Sequence, residues 1–474
     1  MAPTSGNAWK KRRADRYASR RLLWRWSALG PVRACGRGVV DHEQGVVLKV
    51  GADGRSHASG LTTCKSIWAC PVCQAVIRAE RANDISEGAA RHVANGGTAY
   101  LVTLTARHYK RHALEDLRKA MSRAYKALIS GAQWAGDPTR GREGERARMG
   151  VLGVMRSVEV TWGENGWHPH LHLVVLLGGV RPQHALTDRE RGLDDEDQEA
   201  ELAEIGPQPV AYFRVPDPGL SKADRAKLSP AEAVVLGDFE RMQARWLRIW
   251  QAWLAKEGFR PNAKRAISWD RLERVADAKK AGAYVAKTQD DPNGKKRGRA
   301  AGNELARLDM KSARRIGNLT PMEILQEARR LQSEPTEQDI AAGVEKRVAQ
   351  LHAVWLEYES ATRGWRAIEW TRGLRVALGM TEEKTDDEVM EAEATGEAYG
   401  FLDTESWRRI CRLNMDTQVH EAYEEGGIAA LVRLLTSVHL ILGQPTLRTY
   451  DEEGPDGTVR TVTVPDVAPA VEAD

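Results

Sequence analysis

The amino-acid sequence predicts an α+β protein: an antiparallel sheet core, a cysteine-rich element ahead of it and a mainly helical region behind it. Three observations point there. The run Trp167-His168-Pro169-His170-Leu171-His172-Leu173-Val174-Val175-Leu176-Leu177 alternates imidazole and aliphatic side chains with the two-residue period of a strand. Residues 150–162 read as a second strand, and Gly163-Glu164-Asn165-Gly166 between the two carries the Asn-Gly signal of a hairpin. Beyond residue 290 the chain becomes mainly helical in pattern.

Taken from the N-terminus, residues 1–30 read as a basic arm. From Lys10 to Arg37 about ten Lys/Arg face one acidic residue, Asp15, and Tyr17, Trp24 and Trp26 are interleaved with the arginines. Cations among aromatics suit phosphate contact with base stacking, or else a solvated arm. Residues 31–80 hold Cys35, Cys64, Cys70 and Cys73, with Cys70-Pro71-Val72-Cys73 a CxxC knuckle. Four thiolates suit a closed tetrahedral structural Zn²⁺ site; the plainer alternative is a set of reduced, buried cysteines. Cys411 stands apart and reads as packing.

Residues 81–290 form the expected core domain. Residues 77–92 are helical in pattern, Ala99-Tyr100-Leu101-Val102-Thr103-Leu104-Thr105 is a buried strand, and 113–131 is an amphipathic helix. After the hairpin, residues 178–229 form a polar insertion with the acidic run Asp194-Asp195-Glu196-Asp197. Residues 233–256 are helical, with Trp246, Trp250 and Trp253 read as a packing stripe; 266–269 suit a short strand and 274–287 a helix. Residues 291–474 form the C-terminal region, with a basic stretch at Lys295-Lys296-Arg297-Gly298-Arg299, an acidic linker over 381–395 and a tail expected to be partly disordered. The chain has 474 residues, enough for two or three domains. It contains no apolar run long enough to span a membrane and no signal-peptide core, and five cysteines, four of them clustered near the N-terminus, do not suit a secreted disulfide framework. A cytoplasmic protein is therefore expected.

The chemistry-bearing residues fall in two places. His168, His170 and His172 share one strand face, and Leu171, Leu173 and Val175 the other. If Asn165-Gly166 is the turn, Glu159 stands opposite His172; a four-residue loop sets it opposite His170. Either register puts Glu159 on the histidine face. Two imidazoles and a carboxylate suit a divalent ion, Mg²⁺, Mn²⁺ or Zn²⁺, while the plainer reading is a polar strand face. The second place is Asp277-Ala278-Lys279-Lys280-Ala281-Gly282-Ala283-Tyr284-Val285-Ala286-Lys287, where a helix aligns Asp277, Lys280, Tyr284 and Lys287. A tyrosine hydroxyl with pKa about 10 needs a nearby cation to act as a nucleophile.

The run from Gly166 to His172 resembles the His-hydrophobic-His motif of rolling-circle replication initiators, Tyr284-Val285-Ala286-Lys287 resembles their tyrosine motif, and Leu101-Val102-Thr103-Leu104-Thr105 is similar to their first strand. Ser59-Gly60-Leu61-Thr62-Thr63-Cys64, Trp68-Ala69-Cys70-Pro71-Val72-Cys73 and Ile77-Arg78-Ala79-Glu80-Arg81 resemble the cysteine block of the actinobacterial plasmid type, and Thr320-Pro321 and Trp370-Thr371-Arg372-Gly373-Leu374-Arg375 look like its later blocks. The resemblance implies a metal-dependent single-strand DNA endonuclease on a ferredoxin-like, RRM-like antiparallel sheet. His170 and His172 would be ligands of Mg²⁺ or Mn²⁺, with Glu159 or His168 as the third. Tyr284 would attack a phosphodiester of the plasmid's double-strand origin, leaving a 5′-phosphotyrosine and a free 3′-OH; Lys287 would position the phosphate or steady the phenolate. Lys280 stands where some members carry a glutamate that ends the cycle, with Asp277 a substitute and Glu273 a weaker one. The implied partners are origin DNA, a host helicase, a single-strand-binding protein and a second protomer. A relaxase or transposase with the same chemistry, and a non-catalytic zinc-containing DNA-binding regulator, are the competing readings.

Overall fold

The computed structural model describes residues 5–180, 211–259, 266–272, 275, 318–393, 395–443, 446–453 and 459–466. Its main elements, in chain order, are α1 (Ser5–Trp26), β1 (Val46–Val50), β2 (Ser56–Ser59), α2 (Pro71–Ala94), β3 (Thr98–Thr105), α3 (Leu114–Leu128), β4 (Gly153–Gly163), β5 (Gly166–Leu177), α4 (Pro230–Lys256), β6 (Ile267–Leu272), α5 (Pro321–Ser333), α6 (Val344–Thr362), β7 (Ile368–Trp370), β8 (Glu397–Leu402), α7 (Thr404–Arg412), α8 (Asp416–Ser437), β9 (Thr446–Glu453) and β10 (Val459–Asp466). The chain is α+β with antiparallel sheets. It divides into two compact units: Met1–Ile77, Leu325–Leu356 and Lys384–Asp474 form one, Arg78–Ile324 and Glu357–Glu383 the other. Among the described residues no helix is long and apolar enough to cross a membrane.

The second unit is built on a five-stranded sheet in the order β6-β3-β5-β4-β7, with every neighbouring pair antiparallel. The chain path β3-α3-β4-β5-α4-β6 is βαββαβ, and those four strands lie in the order fourth, first, third, second. β7 adds an edge strand beside β4. One face is covered by helices whose apolar stripes the sequence dictates. On α3, Leu114, Leu117, Met121, Ala124 and Leu128 recur every three or four residues and are buried. On α4 the same period buries Leu236, Phe239, Met242, Trp246, Trp250 and Leu254. Its start is fixed by Ser229 and Glu232 in a reciprocal capping box, with Pro230 in the first turn. Of the three tryptophans in the stripe, Trp246 and Trp250 are buried, while Trp253 turns outward and stacks under Lys256. Trp250 Nε1 donates to the Thr105 carbonyl at 2.9 Å, pinning the end of β3.

The other face carries Leu101, Met155, Val174 and Leu176, packed with Ile85 and Ala89 of α2 and with Leu374, Leu378 and Met380. By alternation along β5, His170 and His172 lie on this same face, further along the strand. His92 of α2 is wedged against β5, its Nε2 donating to the Leu177 carbonyl at 2.8 Å. Gly97 leaves it room, because a Cβ there would lie 2.3 Å from His92 Nε2. Burial lowers the pKa of His92 to about 4 from an ordinary 6.5. A depressed histidine binds its proton more readily in the unfolded chain, so its contribution is complete above pH 6.5 and is lost as pH falls through about 4. Denaturant titrations are expected to lose up to about 3 kcal/mol over that window from this residue, and His92→Gln should flatten the profile.

In the first unit a three-stranded sheet, β8-β1-β2, packs Val46, Leu48, Tyr399 and Leu402 against Trp407, Ile410, Cys411, Val419, Leu431 and Leu435 of α7 and α8. The arginine-rich N-terminal segment is the helix α1, and several of its charges face carboxylates. Arg13 makes a fork to Glu424 at 2.7 and 2.8 Å, and Arg20 and Arg21 both pair with Asp416, whose side chain is fully buried. Those guanidinia are therefore engaged internally. Asp416→Ala would leave Arg20, 4 % exposed, without its carboxylate. Removing one partner of a buried pair typically destabilises by about 3–5 kcal/mol, so the variant should unfold at markedly lower urea than the parent, followed by circular dichroism. Near the C-terminus β9 pairs with β10, and β10 lies within the last twenty or so residues, for which the composition predicts a partly disordered tail. The Val/Thr alternation from Thr461 to Val464 supplies a strand period that the composition alone conceals.

A candidate metal centre and a cysteine cluster

The β4–β5 hairpin turns at Glu164-Asn165, with Gly163 paired to Gly166. Asn165-Gly166 is one of the two turns that the sequence allows; the turn falls one residue earlier, and the positive φ, 84°, is on Gly166, just after it. A Cβ on Gly166 would lie 2.9 Å from the Lys110 Cα, so the loop after β3 requires glycine there. The register that results sets Glu159 opposite His170, the value given by the four-residue count.

From this position the Glu159 carboxylate reaches diagonally to His172, with Oε2 2.9 Å from Nε2. The other ring nitrogen, Nδ1, lies 3.1 Å from Thr103 Oγ1, on the strand at its other side. His172 is thus held from both flanks, which fixes its ring orientation. His172 is 1 % and Glu159 7 % exposed, whereas His170 is half-buried. One donor atom each from Glu159, His170 and His172 lie within 4.8 Å of one another. For metal–ligand bonds of about 2.1 Å, adjacent donors in an octahedron stand about 3 Å apart, so this donor set fits a divalent cation with open positions.

His168 lies outside that group of three donors. Its Nε2 is 2.8 Å from His170 Nε2, and its ring packs on His108 at a tilt of 36°, with centroids 4.4 Å apart. His108 in turn has Nδ1 3.1 Å from the Asn165 carbonyl, which ties the loop after β3 to the hairpin turn. Burial lowers the His108 pKa. Neither Thr103 nor His108 was singled out from the sequence. Their roles come from strand pairing and loop packing between segments some 60 residues apart (|i−j| 69 and 57), for which the sequence carried only the local strand signal. Tyr284, Lys287 and Asp277, with Lys280 and Glu273, lie outside the described residues.

The four N-terminal cysteines converge in the first unit. Cys35 Sγ lies 3.6 Å from Cys70 Sγ and 3.7 Å from Cys73 Sγ, and Cys64 Sγ lies 3.8 Å from Cys73 Sγ. These separations exclude disulfides, whose sulfurs bond at about 2.05 Å. A tetrahedron with metal–sulfur bonds of about 2.3 Å has edges of about 3.8 Å, so the cluster has the size of a Cys₄ zinc site. Cys70 and Cys73 are placed by the start of α2, Cys35 by the chain after the short helix Gly30–Ala34. Ile67, Val72, Ile77, Val389 and Met390 pack around them. Sulfur hydrogen bonds from Cys64, Cys70 and Cys73, with the Arg20 charge, pull the Cys35 thiol below its usual range.

Residues 57–181 match the model of a family described as replication protein. A relative named "Protein rep" from Streptomyces lividans is 36 % identical over 413 residues, covering 81 % of this chain and 80 % of the relative. The chain belongs to the Rep family of replication proteins. A protein named "Neomycin resistance protein" from Streptomyces cyanogenus is 42 % identical over 157 residues, 30 % of this chain and 36 % of that one. No solved structure matches. The stretch matched by the Rep model contains Cys64, Cys70, Cys73, Glu159, His168, His170 and His172, but neither Cys35 nor the Tyr284 segment.

Proposed function

We propose that this Rep chain initiates plasmid replication by nicking one strand of the origin through a tyrosine. The observation that carries the reading is the convergence of Glu159, His170 and His172 on the β4–β5 hairpin. The βαββαβ path with strand order fourth, first, third, second is that of a ferredoxin-like sheet, which supports the same reading. Glu159, His170 and His172 would hold Mg²⁺ or Mn²⁺, which when bound supplies charge neutralisation at the scissile phosphate. Thr103 keeps the His172 ring turned towards Glu159. The Tyr284 oxygen forms a bond to phosphorus as the bond from phosphorus to the 3′ oxygen breaks. The phenolic proton is given up and the leaving 3′ oxygen takes one, so a 5′-phosphotyrosine and a free 3′-OH result. Lys287 positions the phosphate and Asp277 serves the terminating step. In the Cys₄ cluster, Zn²⁺ would be structural. A host helicase, a single-strand-binding protein and a second protomer are the partners that such a primer-generating reaction calls for.

The test is incubation with a single-stranded origin oligonucleotide and Mg²⁺ or Mn²⁺, followed by a denaturing gel. A covalent adduct is expected, and Tyr284→Phe should abolish it. An adduct that survives in Tyr284→Phe means another nucleophile. Absence of any adduct from the parent chain favours a zinc-containing DNA-binding regulator.

A further inference from the structure

Beside the metal donors stands a second built feature. The loop from β3 to α3 reads Ala106-Arg107-His108-Tyr109-Lys110-Arg111-His112-Ala113, three cations and no acid. It is clamped rather than loose. His112 N donates to the Tyr109 carbonyl at 2.9 Å, Tyr109 N donates to His112 Nδ1 at 3.1 Å, and His112 packs edge-on against Phe259. The Tyr109 ring meets His112 edge-on with centroids 5.5 Å apart and is 37 % exposed, among the few large hydrophobic side chains left at the surface among the described residues. The guanidinia of Arg107 and Arg111 lie 5.4 and 5.3 Å from its ring centre. Arg107, Lys110 and Arg111 are all exposed and have no carboxylate within ion-pair distance among the described residues. The packing of His108 on His168, and the 2.8 Å approach of His168 to His170, run from this loop to the donor group.

We propose that Tyr109, flanked by Arg107 and Arg111, is a stacking platform for a base of single-stranded DNA next to the phosphate to be cut, with Lys110 on the backbone. This rests on the nicking reading above and adds to it the surface that holds the substrate strand. An exposed aromatic costs free energy in water, and two guanidinia set over it add flat, cationic surfaces on which a base stacks. Arginines around an aromatic, with no carboxylate in reach among the described residues, suit a polyanion with π-faces. A duplex hides its base faces, so stacking selects the single strand.

The test uses the full chain and a fluorescein-labelled oligothymidine, read by anisotropy without added divalent metal, so that binding is separated from nicking. Tyr109→Ala is expected to weaken binding by about ten-fold or more, while Tyr109→Phe and Tyr109→Trp keep it. Arg107→Gln and Arg111→Gln should each flatten the slope of log affinity against log salt by roughly 0.7. Equal weakening by Tyr109→Ala on blunt duplex and on single strand would overturn stacking, as would affinity for the single strand within about two-fold of the parent. Loss of the covalent adduct in Tyr109→Phe would also overturn it, since the hydroxyl would then be the working group. The two readings fail separately. A parent chain that makes no adduct but loses single-strand binding in Tyr109→Ala leaves the platform standing and removes the nickase. A parent chain that makes the adduct while Tyr109→Ala binds unchanged does the reverse. Thermal unfolding of each variant should match the parent, because the replaced groups are exposed.

Discussion

Glu159→Gln and His170→Ala are each expected to reduce covalent adduct formation by about a thousand-fold, because loss of charge stabilisation worth several kcal/mol is spread over no other group. Glu159→Gln keeps the shape of a side chain that is nearly buried, so the hydrogen bond to His172 has a substitute while the negative charge is gone. His170→Ala removes a half-buried ring and leaves the core strands intact. Both variants should therefore fold, which a denaturant midpoint near the parent's would establish. Thr103→Val provides a graded control. It removes the partner of His172 Nδ1 without touching a donor, and groups that orient a ligand typically cost about 10- to 100-fold in metal affinity. The measurement is a Mn²⁺ titration of adduct yield. Thr103→Val should shift the midpoint upward and recover yield at high Mn²⁺, whereas Glu159→Gln and His170→Ala should not recover. Full activity in Glu159→Gln at ordinary metal concentration would remove the carboxylate from the centre.

Much of this centre was legible because strand alternation is local. The two-residue period put His170 and His172 on one face, and counting across a short loop put Glu159 there under either even-numbered register. The count did not locate the turn. Asn-Gly reads as the pair of central residues, but the packing of Lys110 against Gly166 draws the positive φ one position later. Thr103 and His108 were silent for a different reason. Each acquires its partner through pairing of β3 with β5, or through a loop folded onto the hairpin, and neither is written in a local pattern. The same limit applies to α1. Its arginines read as a surface arm because Asp416 and Glu424 lie about four hundred positions further along the chain. Likewise β8 joins the sheet of β1 from a region whose pattern is mainly helical. The cysteines needed least: the CxxC spacing and two more thiols marked a group that the fold gathers into one cluster.

If that cluster holds zinc, as proposed, removing the ion should unfold the first unit before it affects chemistry. Four sulfurs 3.6 to 3.8 Å apart at their nearest contacts form a soft donor set of the kind that prefers Zn²⁺, whereas a carboxylate–imidazole group such as that on the sheet suits harder ions. Without a cation, Cys35 ionises most readily while Cys64, Cys70 and Cys73 hold their protons, because ionising them together is opposed by mutual repulsion and burial. Metal binding and folding are then one free energy, which reaches about 10–16 kcal/mol in isolated zinc modules. Here apolar side chains also hold the cluster, so only part of that is expected to appear as lost stability. Cys70→Ser, at a fully buried position, should lower bound zinc from one atom per chain and shift the urea midpoint downward by several kcal/mol in free energy. Elemental analysis of the purified chain and denaturant curves of parent and variant read the two effects. Mg²⁺ or Mn²⁺ added in excess should restore nothing to Cys70→Ser, because oxygen-seeking ions do not replace a thiolate-bound one. A zinc-free parent with an unchanged midpoint would mean that the cysteines are simply packed thiols, and that the first unit is held by its apolar core and the Asp416 and Glu424 ion pairs alone.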